Sequence, residues 1–240
     1  MRKIMVMGII KNLDKHTGGS MCTNYVLVKT RGSAQLAERL SVSSSDLIYG
    51  TNFKPGSLIS VITGSEAGHV VRPATWWLYL QQTERGLKPH RDYFSVNTRY
   101  DKVGKKPEYR HRRCIVPATA FVESQDGKNP HLLEPADGRA IAFGGIYKEW
   151  TDKVTGEIVY SASIITLPGI KPLENIHRKS VPMWLPEEAY EKWLSPEVTN
   201  TYELDYLLEP ALRCDLKATP VDKTYSKKPI SNPYILPSAS

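Results

Sequence analysis

The chain has 240 residues, 40% of them hydrophobic, 24% charged and 9% aromatic. That suits one large domain with a proper core, and no apolar run approaches the ~20 residues that span a bilayer. The 32 Lys and Arg against 25 Asp and Glu leave a formal net charge of +7, which suits a polyanionic partner without identifying one. Three widely spaced cysteines, Cys22, Cys114 and Cys214, exclude a dense disulfide framework and match no zinc spacing.

Residues 1–20 read differently from the rest. Their short apolar stretch meets Lys11, Asp14 and Lys15 at once, with no small-residue cleavage site, so a secretory signal is not expected and the protein is read as cytoplasmic. Thr17-Gly18-Gly19-Ser20 then leads into Met21-Cys22. Cys22 to Val28 has strand composition. Ser33 is expected to cap a short amphipathic helix carrying Leu36 and Leu40. Leu58–Ile62 and Trp76–Leu80 read as strands, and Cys114–Pro117 and Phe121–Glu123 as two β segments around a bend. Ala140–Tyr147 and Ile158–Leu167 read as a hairpin closed by a loop with Thr155-Gly156. Pro186 at a first helical position, followed by Glu187 and Glu188, predicts a helix with Tyr190, Trp193 and Leu194 on one face. Strands outnumber helices and are mixed with them, which makes the class α+β. The tail after Lys223, rich in Pro and Ser, is expected to wrap the surface.

Four segments concentrate chemistry: Met21-Cys22-Thr23-Asn24-Tyr25; Asn97-Thr98-Arg99 with the basic run to Arg113; Arg113-Cys114-Ile115-Val116-Pro117-Ala118-Thr119-Ala120-Phe121-Val122-Glu123; and Ile176-His177-Arg178-Lys179-Ser180-Val181-Pro182. With Asn52-Phe53-Lys54-Pro55, Ile164-Ile165-Thr166 and Pro220-Val221, they resemble in number and order the SRAP family, also called SOS response-associated peptidases or abasic-site processing proteins. The resemblance runs from Met21 to about Pro237. It implies a single domain over residues 21–240, with a mixed, barrel-like curved β-sheet flanked by short helices, and a leader over 1–20 that is disordered, untranslated or removed. It also implies a nucleoid-associated protein of the DNA damage response that crosslinks to abasic sites in single-stranded DNA. No cofactor, metal or membrane is called for, since the histidines outside His177 form no ligand spacing. A monomer is the default expectation.

The chemistry follows from the residues. An N-terminal cysteine carries an amine and a thiol on adjacent carbons. The amine condenses with the open-chain aldehyde of an abasic sugar, and the thiol then adds to the imine carbon to close a thiazolidine. Holding both groups on one residue makes the second step intramolecular. An α-amine also titrates near neutrality, unlike a lysine. By the resemblance, Cys22 is the covalent residue, Glu123 the acid/base beside the amine and His177 the group assisting sugar ring opening. Asn97 and Arg99 position the lesion and a flanking phosphate. Arg113, Thr166 and either Arg178 or Lys179 join the DNA contacts. Pro55 and Trp76 or Trp77 stack against neighbouring bases, with ordinary core packing as the equal alternative for the tryptophans.

The sequence departs from the family at His177 to Pro182, one residue longer than usual, and at Asp101 and Ser124, which replace a glutamate and a tryptophan. The leader is the largest departure, because with it attached Cys22 has an amide in place of an amine. Either translation begins at Met21 and Met21 is removed, or the leader is cleaved. Two other readings stand beside this one: a thiol autopeptidase acting on its own leader, and a non-catalytic single-stranded-DNA-binding module.

Overall fold

A computed structural model describes residues 22–125 and 127–238; the leader lies outside the described residues. In chain order the strands are β1 (Tyr25–Leu27), β2 (Gly50–Phe53), β3 (Leu58–Ser65), β4 (Gly68–Trp76), β5 (Leu80–Thr83), β6 (Gly86–Pro89), β7 (Asn97–Arg99) and β8 (Arg113–Ala118). They continue as β9 (Ala120–Gln125), β10 (Lys128–Pro135), β11 (Ile141–Thr151), β12 (Ile158–Pro168), β13 (Ser180–Pro182), β14 (Leu216–Pro220) and β15 (Tyr234–Leu236). The helices are short, the longest α-helix being Arg31–Arg39. The fold is therefore α+β, as expected.

Five strands in the order β11-β8-β3-β4-β12 close into a barrel through the β11–β12 pair, and only β4–β12 runs parallel among them. Closure removes the open edges that an isolated sheet would expose. Strand β12 is long enough to serve several partners. Its first half pairs with β4, while Ile164 to Thr166 pair in parallel with Asn97 to Arg99 of β7 and Thr166 to Pro168 pair with β13. A second, six-stranded sheet has the order β15-β14-β10-β9-β1-β2.

The bend expected between the two β segments is the corner where the chain leaves one sheet for the other. Thr119 sits between β8 and β9 and is stitched to β1: its N–H donates to Val26 O at 2.7 Å and its Oγ1 accepts from Val28 N at 3.2 Å. The hairpin expected at Ala140–Leu167 is the β11–β12 pair, Gly145 opposite Ile164 through Thr151 opposite Ile158.

Three expectations are corrected. Thr30, not Ser33, caps the helix Arg31–Arg39. Thr30 Oγ1 accepts from Ser33 N at 3.1 Å and Ser33 Oγ accepts from Thr30 N at 2.9 Å, so Ser33 takes the third position of a reciprocal capping box that sequence rules assign to Glu or Gln. Trp76–Leu80 is not one strand. β4 ends at Trp76 because the chain turns to meet the 93–96 segment: the Trp77 indole donates to Tyr93 O, and Leu78 N to Ser95 O. Pro186 precedes a single 3₁₀ turn, Glu187–Ala189, which passes into the α-helix Tyr190–Leu194, so the proline caps the element instead of beginning it. The face carrying Tyr190, Trp193 and Leu194 is buried as expected.

Close backbone contact fixes Gly64. A Cβ on Gly64 would lie 2.0 Å from Leu194 O, a backbone atom that cannot swing aside. Gly64→Ala is expected to cost roughly 2–3 kcal/mol, read as a clear fall in melting temperature. Gly104→Ala, whose Cβ meets nothing within 4 Å at φ −60°, should leave it within error of the parent.

Candidate active site around Cys22

Four secondary-structure segments converge on Cys22. The thiol is 1% exposed, just ahead of β1, with its Sγ 3.9 Å from Asn24 O. Strand β9 runs beside it, and Val122 N donates to Asn24 O at 2.9 Å. That bond places Glu123, 2% exposed, against the cysteine. From β7, Asn97 Nδ2 donates to the Cys22 carbonyl at 2.7 Å and holds the main chain of the cysteine. His177, fully buried, lies in the segment between β12 and β13. Its Nδ1 is 3.0 Å from Ser124 O, a carbonyl that can only accept, so Nδ1 carries the proton and Nε2 is the basic nitrogen. Nε2 lies 3.4 Å from Ser180 Oγ. A Cβ on Gly169 would lie 2.0 Å from Arg178 O, so the bare backbone just after β12 lets this loop pack directly against it.

The electrostatics are those of a dry pocket. Burial pushes the Glu123 carboxyl up to about 8, partly opposed by its hydrogen bond with the Cys22 thiol. Burial also pushes the Cys22 thiol well above its usual value, reinforced by the Glu123 charge and opposed by the Asn24 carbonyl contact. Near pH 7 both groups therefore hold their protons. Among the described residues, buried side-chain atoms left without a partner include Asn24 Oδ1, Asn97 Oδ1, Glu123 Oε1 and Thr166 Oγ1. Unpaired buried polar atoms are costly and uncommon. Asn24, Asn97 and Glu123 all surround Cys22. Thr166 joins them by register: Ile164 pairs with Asn97 and Thr166 with Arg99, so the two-residue period puts Asn97, Arg99 and Thr166 on one face. Thr98 turns to the other face and meets Ser163 Oγ at 2.9 Å. These orphaned atoms gather on the segments around Cys22, each lacking the partner that a small polar group would supply.

The expected DNA contacts separate into two sets. Arg99, Arg178 and Lys179 are exposed, and Arg99 is held by a bidentate contact with Asp101 at 2.9 and 3.0 Å. Pro55 is half-buried in the turn after β2, where Ser57 N donates to Lys54 O and Gly56 takes the φ of +83° that a type II turn requires. Arg113 and Trp76 belong to the interior, which removes the reason to place them on DNA. The Arg113 guanidinium, 4% exposed, donates to the carbonyls of Trp193, Tyr109, Arg110 and Ser195 at 2.7–2.8 Å and has no face left for a phosphate. Trp76 is fully buried, and its indole donates to Val96 O next to Asn97, so it supports the site from behind. Trp77 is half-buried, edge-on to Phe94.

Asn24 and its partner Asn52 had no role in the sequence reading. Asn24 is fully buried and donates to Asn52 Oδ1 at 2.6 Å and to Phe53 O at 3.2 Å, tying the start of β1 to the β2 edge. The available signal was an asparagine two residues after the cysteine, interrupting an otherwise apolar strand.

The comparisons with known proteins agree in direction. The family model described as SOS response associated peptidase (SRAP) matches residues 21–228. The chain is 31% identical over 134 residues to abasic site processing protein YobE of Bacillus subtilis, covering 52% of this chain and 60% of that protein. It is 29% identical over 154 residues to abasic site processing protein YoqW of Bacillus subtilis, covering 61% and 68%. The match thus spans less than two thirds of YobE. A crystal structure of a Bacteroides thetaiotaomicron protein superposes with a TM-score of 0.67 at 24% identity, over 83% of this chain and 92% of that one, which shows a shared fold.

Two expectations follow from the geometry. A carboxyl whose value rises on folding, from an ordinary 4.5 to about 8, costs stability as pH climbs through that window, because the unfolded chain releases a proton that the folded chain retains. Glu123→Gln should therefore gain on the parent by up to ~1.4 kcal/mol per pH unit between those limits, with the two converging below pH 4.5. Thermal melts across pH check it. Arg113→Met should lower stability by roughly 3 kcal/mol or more, since four carbonyls lose their donor; a melting temperature unchanged from the parent would contradict the structural role.

Proposed function

Because the chain belongs to the SOS response-associated peptidase family, we propose that it processes abasic sites in single-stranded DNA, with Cys22 as the residue that captures the sugar aldehyde. The observation that carries this reading is the hydrogen bond between the buried Cys22 thiol and the buried Glu123, a carboxyl that stays protonated near neutrality, among buried polar atoms left unpartnered.

The steps balance within these residues. The Cys22 α-amine adds to the aldehyde carbon, its proton passing to the new hydroxyl, and protonated Glu123 gives its proton to that departing hydroxyl, so a protonated imine and water form. The carboxylate left behind takes the thiol proton as Sγ adds to the imine carbon, and the imine nitrogen becomes the ring amine. One aldehyde and one aminothiol thus yield a thiazolidine and one water, with Glu123 returned to its starting form. A carboxyl poised near neutrality suits both transfers. In this reading His177 Nε2 assists opening of the closed sugar, and Asn97 holds the Cys22 main chain through its 2.7 Å bond. Arg99, Arg178 and Lys179 supply the exposed cations for flanking phosphates, and Pro55 and Trp77 the surfaces for neighbouring bases.

The chemistry requires a free α-amine at Cys22, so the proposal includes removal of the residues before it. The test is a single-stranded oligonucleotide with one abasic site, resolved on a denaturing gel alongside the intact mass of the protein. A heat-stable band should form only with protein whose mass begins at Cys22, and vanish in Cys22→Ala. Glu123→Gln should slow the band on the order of 10²-fold. A band that survives Cys22→Ala, or that forms with residues 1–21 still attached, overturns the reading. Leader loss that depends on Cys22 without any band would point to an autopeptidase.

A further inference from the structure

The tail beyond β14 builds a loop that the chemistry at Cys22 does not use. Val221 pairs with Pro229 in an isolated bridge, and Asp222 N donates to Lys228 O at 2.9 Å and Lys227 N to Lys223 O at 3.0 Å. At its centre, Asp222 Oδ1 accepts from Lys223 N at 2.7 Å, from Lys228 N at 3.0 Å and from the Ser226 hydroxyl. The one acid of the loop is thereby consumed by its own main chain, while Lys223 and Lys228 are exposed. Lys227 is held at φ +53°, in the left-handed region that side chains other than glycine rarely adopt.

That constrained backbone sends Lys227 across to the active-site side of the second sheet. Its Nζ donates at 3.3 Å to Asn52 Oδ1, the same atom that accepts at 2.6 Å from Asn24 Nδ2. Asn24 in turn offers the carbonyl 3.9 Å from the Cys22 sulfur. Among the described residues no carboxylate lies within 4.0 Å of the Lys227 ammonium. Partial burial pushes its pKa down, as expected of a cation stripped of some water and given no counter-charge. Lys54, exposed in the turn after β2, adds a second positive group on this edge.

We propose that the Val221–Pro229 loop is a phosphate-binding element that holds the DNA strand along the β2 edge, with Lys227 as the contacting cation. The proposal rests on the assignment of single-stranded DNA to the Cys22 site. A phosphodiester placed there supplies the anion that Lys227 lacks, and it lies on the Asn52 side of Cys22, whereas Arg99 and Arg178 rise from β7 and the β12–β13 loop. The strand is then gripped on both sides of the captured sugar.

The test separates binding from capture by using a labelled single-stranded oligonucleotide with a tetrahydrofuran abasic analogue, which has no aldehyde. Fluorescence anisotropy is read between about 50 and 200 mM salt. Lys227→Gln should weaken binding on the order of 3- to 10-fold at low salt and flatten the log–log salt slope by about 0.7, one phosphate contact on a single strand. Lys227→Arg should restore both. If Lys227→Gln lowers the melting temperature, Lys227→Gly carries the same expectation, since it relaxes the left-handed backbone while removing the charge. Unchanged affinity and slope in the neutral variants, or failure of the arginine to restore them, overturns the loop assignment alone. Parent protein that binds the analogue through Lys227 yet never crosslinks an aldehyde-bearing strand overturns the capture chemistry and leaves the loop standing. Parent protein that binds neither strand overturns both.

Discussion

A carboxyl group buried without a cation is the constraint on which this site depends. Glu123 is 2% exposed and, among the described residues, forms no ion pair. Ionising it in such a place is expensive, so it keeps its proton to about pH 8. The same dryness holds the Cys22 thiol in its neutral form. Neither group is a strong nucleophile or base at rest. Under the proposed chemistry, the pair gives one proton out and takes one back.

The architecture is arranged to impose that dryness while keeping the groups aligned. The corner at Thr119 passes the chain from barrel to second sheet, and within four residues delivers Glu123 beside β1. Strand β12 serves as the common reference, since it pairs with barrel strands over one half and with β7 and β13 over the other. Asn97, Thr166 and the His177 segment are thus all referred to one rigid strand. Trp76 and Arg113 work behind this layer, one bonding the main chain before Asn97 and the other tying two carbonyls at the end of the Tyr190–Leu194 helix to two in the Pro107–His111 helix.

The positive charge divides by burial. An arginine with its fork saturated by carbonyls is a structural bolt, however basic its neighbours in sequence. The cations that remain open, Arg99, Arg178 and Lys227, come from β7, the β12–β13 loop and the C-terminal tail. They are distant in the chain, and only the tertiary fold brings Lys227 to Asn52 on the β2 edge and β7 beside β12.

The α+β class, the β11–β12 hairpin and the bend at Thr119 were legible in the linear sequence, and the resemblance to family motifs singled out Cys22, Asn97, Glu123 and His177. Alternation, turn residues and spacing are local properties, and each of these features is local. Barrel closure and the break after Trp76 were not, because each is decided by a partner remote in sequence, β12 for β4 and the carbonyls of Tyr93 and Ser95 for the turn, while the Thr30 cap escaped for a local reason, a serine acting where an acid is usual. The same reason separates Arg113 from Arg99. Sequence shows two arginines in one basic run, and only packing tells which guanidinium is spent on carbonyls. Sequence by itself determined which chemical groups this protein possesses and their order along the chain. Tertiary structure alone decided which of them lost water, because desolvation and the pKa of Glu123 belong to the enclosure around a residue and not to the residue.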